Sequence, residues 1–115
     1  MVTIKKNYEF SKIYKKGKWC NDKNLTMYVL KNNKNCNFFG FSVSKKLGKS
    51  VSRNRIRRLI KESLRIKEPN IKLGYNIVII ARENAKGISF YEVQKSINFL
   101  LKRHKIEESY NGKNT

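Results

Sequence analysis

Ile77-Val78-Ile79-Ile80-Ala81 is the longest apolar run in the chain, and it narrows the folds open to everything else. The run is far short of the ~20 residues that cross a bilayer. Its β-branched side chains suit a pleated surface better than a helix. Together with Tyr75 and Asn76 it reads as a buried strand. Such a strand must find partners for its backbone groups and apolar neighbours for its side chains.

The remaining segments supply candidates. Asn7–Lys16 places Phe10, Ile13 and Tyr14 at helical spacing, with Asn7 as N-cap, Glu9 in the first turn and Gly17 as the stop. Leu25–Leu30 and Phe38–Val43 are rich in β-formers and flank the Asn-rich stretch Lys31–Asn37, which predicts an antiparallel hairpin. Gly40 marks a bulge or a close backbone approach. Arg53–Lys67 is helical: Ile56, Leu59, Ile60 and Leu64 share one side, while Asn54, Arg57, Arg58, Lys61 and Arg65 share the other. Ser50 or Ser52 can cap it, and Pro69 cannot continue it. Strand, helix and strand across 38–81 form a β-α-β unit. A last helix opens on the capping box Ser89/Glu92 with Ile88 and Val93 as hydrophobic staple, and its apolar face is Phe90, Val93, Ile97, Leu100 and Leu101. The order α-β-β-α-β-α predicts one α+β domain over residues 1–115, a sandwich of helices on a small mixed sheet, with a frayed polar tail over about 106–115.

Charge sets the class of partner. The chain carries 27 Lys+Arg against 8 Asp+Glu, a net charge of +19, so a densely anionic ligand, nucleic acid first, is expected. Between Lys45 and Lys67 lie ten basic residues (Lys45, Lys46, Lys49, Arg53, Arg55, Arg57, Arg58, Lys61, Arg65 and Lys67) and one acid, Glu62. Arginines crowd the start of the helix, where cations oppose the macrodipole at a cost of ~0.3–1 kcal/mol each. A phosphate partner offsets that cost, since guanidinium forks and helix N–H groups both suit it. A merely solvated basic face is the plainer alternative, and the density of the cluster argues against it. For Phe10 and Tyr14 two roles stay open, docking the helix on the sheet or stacking unpaired bases.

Catalytic constellations are missing. The eight acids (Glu9, Asp22, Glu62, Glu68, Glu83, Glu92, Glu107 and Glu108) are scattered, whereas two-metal nucleases need clustered carboxylates. His104 is the one histidine and reads as a surface residue. Cys20 and Cys36 read as ordinary thiols of a reducing compartment, without a metal. No hydrophobic block follows Lys5 and Lys6, so a soluble, cytoplasmic protein without a membrane partner is expected.

The segment Phe41-Ser42-Val43-Ser44-Lys45-Lys46-Leu47-Gly48-Lys49-Ser50-Val51-Ser52-Arg53-Asn54-Arg55-Ile56-Arg57-Arg58-Leu59-Ile60-Lys61-Glu62 closely resembles the family of bacterial ribonuclease P protein components. The likeness extends to Phe10…Tyr14…Gly17 and to Ile77–Arg82. It implies a ribosomal protein S5 domain 2-like fold with a left-handed β-α-β crossover, against the usual right-handed preference. It also implies one protein bound to one catalytic RNA subunit. That ribonucleoprotein removes the 5′ leader from precursor tRNA, with Mg²⁺ held at the RNA active site. Lys45, Lys46, Lys49, Arg53, Asn54, Arg55, Arg57, Arg58, Lys61 and Arg65 would then contact the catalytic RNA. Phe10, Tyr14, Thr26, Tyr28 and the facing edge of the basic helix would line a cleft for the single-stranded leader. The alternative is a structural RNA-binding protein such as a ribosomal protein. A nuclease acting alone, or a DNA-reading helix, fits the residues less well.

A +19 chain repels itself on compaction, and an anion held only by the native state stabilises it by mass action. Thermal melts at matched ionic strength should therefore give a higher midpoint in sulfate than in chloride; identical midpoints contradict this.

Overall fold

The apolar run does become the strand that the molecule is built around. A computed structural model describes residues 1–108. In chain order the elements are β1 (Val2–Thr3), α1 (Asn7–Lys16), β2 (Lys18–Asn21), β3 (Leu25–Lys31), β4 (Phe38–Ser42), α2 (Ser50–Lys67), β5 (Tyr75–Ala81) and α3 (Phe90–His104). Short 3-10 turns lie at Lys45–Leu47, Glu68–Asn70 and Glu83–Ala85. The five strands form one mixed sheet in the order β1-β4-β5-β3-β2. Strand β5 pairs parallel with β4 and antiparallel with β3. The β4-α2-β5 unit therefore forms as the sequence predicts.

Alternation along β5 divides the molecule. Ile77 and Ile79 face α2 and α3, in a core with Met27, Phe39, Ile56, Ile60, Leu64, Ile97 and Leu100. Val78 faces the opposite way, into a smaller cluster with Ile4 and Ile13, flanked by Phe10, Tyr28 and Ile80. One helix thus covers one face of the sheet and two cover the other.

The predicted hairpin between 25–30 and 38–43 is absent. Strand β5 inserts between β3 and β4, and the true hairpin is β2–β3, with Trp19 opposite Tyr28. The reason is burial: β5 is apolar on both faces, so the centre of the sheet is where it loses the most water. The Asn-rich connection serves this insertion. Asn37 accepts from the Tyr75 N–H (2.9 Å) and donates to the Lys72 carbonyl (3.0 Å). The Asn32 side-chain amide donates to Asn76 Oδ1 (3.0 Å). These asparagines fasten the loop around the entry to β5.

Other boundaries move for local reasons. Helix α2 starts at Ser50, three residues before the periodic segment, and Lys49 is its N-cap with no side-chain cap bond, so neither Ser50 nor Ser52 caps it. Lys6, not Asn7, precedes α1. Gly17 ends α1 at φ −77°, without a left-handed turn. It is required by closeness, since a Cβ there would meet the Ile13 carbonyl oxygen at 2.6 Å. Gly40 forms no bulge and keeps register with Val78. The capping box of α3 forms, with the Glu92 N–H donating to Ser89 Oγ at 3.2 Å.

The predicted frayed tail is wrong for residues 106–108; residues 109–115 lie outside the described residues. Ile106 is buried, its carbonyl accepts from the Lys72 N–H (2.7 Å), and Lys67 pairs with Glu107 (2.9 Å). His104 is likewise not simply exposed. Half-buried, it donates from Nε2 to the Met27 carbonyl at 2.9 Å, tying the end of α3 to β3. Cys20 and Cys36 are free thiols, and burial pushes the Cys20 thiol up, against the pull of Arg103.

Burial also lowers the His104 pKa; the bond to Met27 opposes this, and Arg103 and Lys18 add to it. The native ring is neutral, so its contribution is complete above the unfolded value near ~6.5 and is lost as pH falls through the lower folded value. Between pH ~7.5 and ~5.5 the wild type should lose more thermal stability than His104→Gln, by on the order of a few degrees. Parallel declines would remove His104 as the cause.

Candidate nucleic-acid interface

Two surfaces emerge, and β5 separates them. On the α1 face, helical spacing sends Ile13 into the sheet and leaves Phe10 and Tyr14 at the flank. Tyr28 and Thr26 project from β3 on this same face, opposite Val78 and Ile80. Phe10 and Tyr14 ring centroids lie 6.2 Å apart, Tyr14 and Tyr28 5.0 Å apart in an edge-on arrangement, and Tyr28 and Trp19 6.4 Å apart. The result is a continuous run of four rings across the sheet. Docking of α1 on the sheet is carried by Ile13, with Phe10 packed beside it. Ile13 is the buried anchor, whereas Tyr14 remains 39% exposed. Burial of its inner edge raises the Tyr14 pKa, with Ser42 opposing, so its hydroxyl stays protonated at neutral pH.

Gly40 makes the arrangement possible. A Cβ at this position would stand 2.7 Å from Phe10 Cε1 and 2.9 Å from Cζ, so the Phe10 ring rests directly on the strand backbone. Beside it, Asn7, Phe10, Ser11, Tyr14, Phe41 and Ser42 line a shallow cleft of about 380 Å³. Of the residues expected there, Phe10 and Tyr14 line it, Tyr28 joins through its contact with Tyr14, and Thr26 lies one step further along β3.

Trp19 is the residue that sequence reasoning missed. It sits 58% exposed on β2, at the end of the ring run. The signal available was a lone Trp nine residues before Tyr28, but without the β2–β3 register nothing joined the two.

The second surface is α2, on the opposite face of the sheet. Its core side is Ile56, Ile60 and Leu64. Asn54, Arg57, Arg58, Lys61, Glu62 and Arg65 line a shallow groove of about 260 Å³ along its outer side. Arg57 donates to Asn54 Oδ1 (3.0 Å), and Arg65 pairs with Glu62 (2.7 Å). Arg53 and Arg55 do not simply join this row. Arg53 Nε donates to the Gly48 carbonyl (3.1 Å), and Arg55 donates across to the Ile88 carbonyl (2.9 Å). They brace the approach loop and the α3 entry while leaving further N–H donors. Lys45 and Lys46 stand exposed on a 3-10 turn, Lys46 within 3.9 Å of Glu83 in a solvated pair of small energetic weight.

The expectation that an edge of the basic helix lines the cleft needs correcting. Helix α2 packs on the far face of the sheet, because Ile56, Ile60 and Leu64 join the larger core. It approaches the cleft through Phe41, which lines the cleft and carries the Lys61 ammonium 5.6 Å from its ring. Among the described residues no group of three or more His, Cys, Asp or Glu could hold a metal ion. No helix there is long and apolar enough to cross a membrane.

Comparison with known proteins gives a single answer. The Ribonuclease P family model matches residues 2–105. A ribonuclease P protein component of Clostridium kluyveri is 50% identical over 102 residues, 87% of this chain and 91% of its own length. That of Clostridioides difficile is 48% identical over 90% of this chain and 91% of its own. Among solved structures, the Staphylococcus aureus RNase P protein superposes with a TM-score of 0.86 at 37% identity, covering 94% of this chain and 99% of that one. The Thermotoga maritima protein gives 0.81 at 27% identity, covering 90% and 97%.

Replacing Gly40 with Ala should displace the Phe10 ring and cost roughly 1–2 kcal/mol of stability in urea melts. A Phe10→Ala, Gly40→Ala double variant should lose less than the sum of the singles; full additivity would deny the contact.

Proposed function

The chain belongs to the ribonuclease P protein family and is a protein component of that tRNA-processing ribonucleoprotein, and from this premise we propose how its two surfaces divide the labour. The outer side of α2, with Lys45, Lys46 and Lys49 before it, binds the catalytic RNA. The aromatic run Phe10-Tyr14-Tyr28-Trp19, with Thr26 beside it, holds the single-stranded 5′ leader of precursor tRNA. The assembly is one protein with one RNA, in the cytoplasm.

The observation that carries this reading is the chemical contrast between the faces. The α2 groove is lined by guanidinium and ammonium groups with a single carboxylate, Glu62, which suits a phosphate backbone. The other face offers exposed rings around an open cleft, which suits unstacked bases. Backbone contacts hold one RNA irrespective of its sequence; stacking selects a strand whose bases are free. A precursor tRNA that still has its leader engages the aromatic face, and the matured product does not, while α2 stays on the catalytic RNA in both cases.

In the proposed division the chemistry belongs to the RNA. Mg²⁺ held by the RNA would supply Lewis-acid stabilisation at the scissile phosphate; the carboxylates of this chain are scattered and, among the described residues, do not gather into a site for it. The protein's own residues bind and orient.

Arg58→Ala and Lys61→Ala should each weaken assembly with the catalytic RNA and reduce the slope of log K against log salt by about one. Tyr14→Ala and Trp19→Ala should leave assembly intact and weaken precursor binding by ~1–3 kcal/mol per lost stacked base, without touching mature tRNA. Binding of the protein to the catalytic RNA across a salt series tests the first pair, and filter-binding of precursor and mature tRNA to the holoenzyme tests the second; equal losses for the two tRNAs would end the leader assignment.

A further inference from the structure

A third cationic site lies away from both surfaces. Lys16 closes α1, Lys18 opens β2 and Lys31 closes β3, so the turn at Gly17 and the β2–β3 register bring three lysines to one end of the sheet. With Tyr75, His104 and Ile106 they line a cavity of about 420 Å³. No carboxylate lines it, and among the described residues these lysines form no ion pair. Three ammonium groups around one cavity repel one another, and their exposed positions contribute nothing to the core that would justify the crowding.

The cavity is also more than a charged surface. Ile106, held down by its own backbone bond to Lys72, and the Tyr75 ring give it an apolar wall. His104 enters it with Nε2 committed to the Met27 carbonyl. That bond fixes the neutral tautomer, with Nδ1 as the acceptor and the atom that a proton would occupy. A dianion seated among the lysines favours that proton, which converts His104 into a fourth donor.

We propose that this cavity is a phosphate-binding site, separate from the leader cleft and from α2, that takes the phosphate of a nucleotide. Lys16, Lys18 and Lys31 neutralise the charge, Tyr75 covers an attached base or sugar, and His104 tightens the grip once protonated. The source is either a free nucleotide or a phosphate within an RNA chain, since both present the same group.

His104 is the single histidine, so its imidazole resonances report the site without ambiguity. The full-length protein is titrated with inorganic phosphate, with AMP and with a short single-stranded oligonucleotide, each against chloride at matched ionic strength. A saturable shift with phosphate, and a rise in the His104 titration midpoint, are expected. Lys16→Ala and Lys31→Ala should each weaken the apparent affinity by about threefold to tenfold. Saturation by AMP identifies a free nucleotide; saturation by the oligonucleotide alone identifies an RNA chain. Binding that persists in Tyr14→Ala and Arg58→Ala keeps this site distinct from the two proposed RNA surfaces. An unmoved midpoint, or an unchanged response in both lysine variants, overturns the proposal.

Discussion

Burial of β5 on both faces is the constraint from which the rest follows. Val78 takes α1 and the small cluster around Ile13 on one side, while Ile77 and Ile79 take α2 and α3 on the other. A strand so placed needs a paired neighbour on each edge, and β3 and β4 supply them. Because β4 runs parallel to β5, the chain between them must return along the whole sheet, and α2 is that return. The basic helix is therefore a crossover as well as the proposed binding surface. Its apolar stripe is short, Ile56, Ile60 and Leu64, yet a packed core holds it against the repulsion of its own cations.

Electrostatics shapes that helix from its first residue. No side chain caps α2 and no acid lies in its first turn, so the N-terminal N–H groups and the nearby guanidinium groups share one positive end. Part of the cost is offset internally, where Arg53 and Arg55 meet the Gly48 and Ile88 carbonyls. Carbonyl oxygens are weak counterparts to a full charge, and phosphates are better ones. The remainder of the repulsion is what an RNA partner relieves, in keeping with the proposed role.

The aromatic face depends on a different economy of space. Phe10 can lie flat on the sheet because position 40 has no side chain. With Phe10 seated, Tyr14 reaches Tyr28, and Tyr28 reaches Trp19 across the β2–β3 ladder. Rings preset in this way lose little conformational freedom when a base stacks on them. Lys61 over Phe41 is the place where this face and the basic helix come together.

Much of this was written locally. The spacing of Ile13, Ile56, Ile60, Leu64, Val93, Ile97 and Leu100 identified each helix and its buried side, the capping box at Ser89 marked the start of α3, and the apolar run marked β5. The Arg53-Asn54-Arg55 segment and the aromatics of α1 marked the two surfaces. All of these depend on residues within a turn or two of each other, where periodicity and capping act. Strand order is not of that kind. Leu25–Lys31 and Phe38–Ser42 looked like hairpin partners because they are neighbours in sequence, yet β5 lies between them, since placing the most apolar strand at the centre removes more surface from water than closing a short loop saves. The same long-range choice created the short strands β1 and β2, brought Trp19 to the ring run, drew His104 to Met27 and docked Ile106. The chain alone determined the three helices, the strands β3, β4 and β5 and the anionic class of partner that its charge requires; only the folded sheet decided who stands beside whom and added β1 and β2, because pairing is settled by total burial and not by any local pattern.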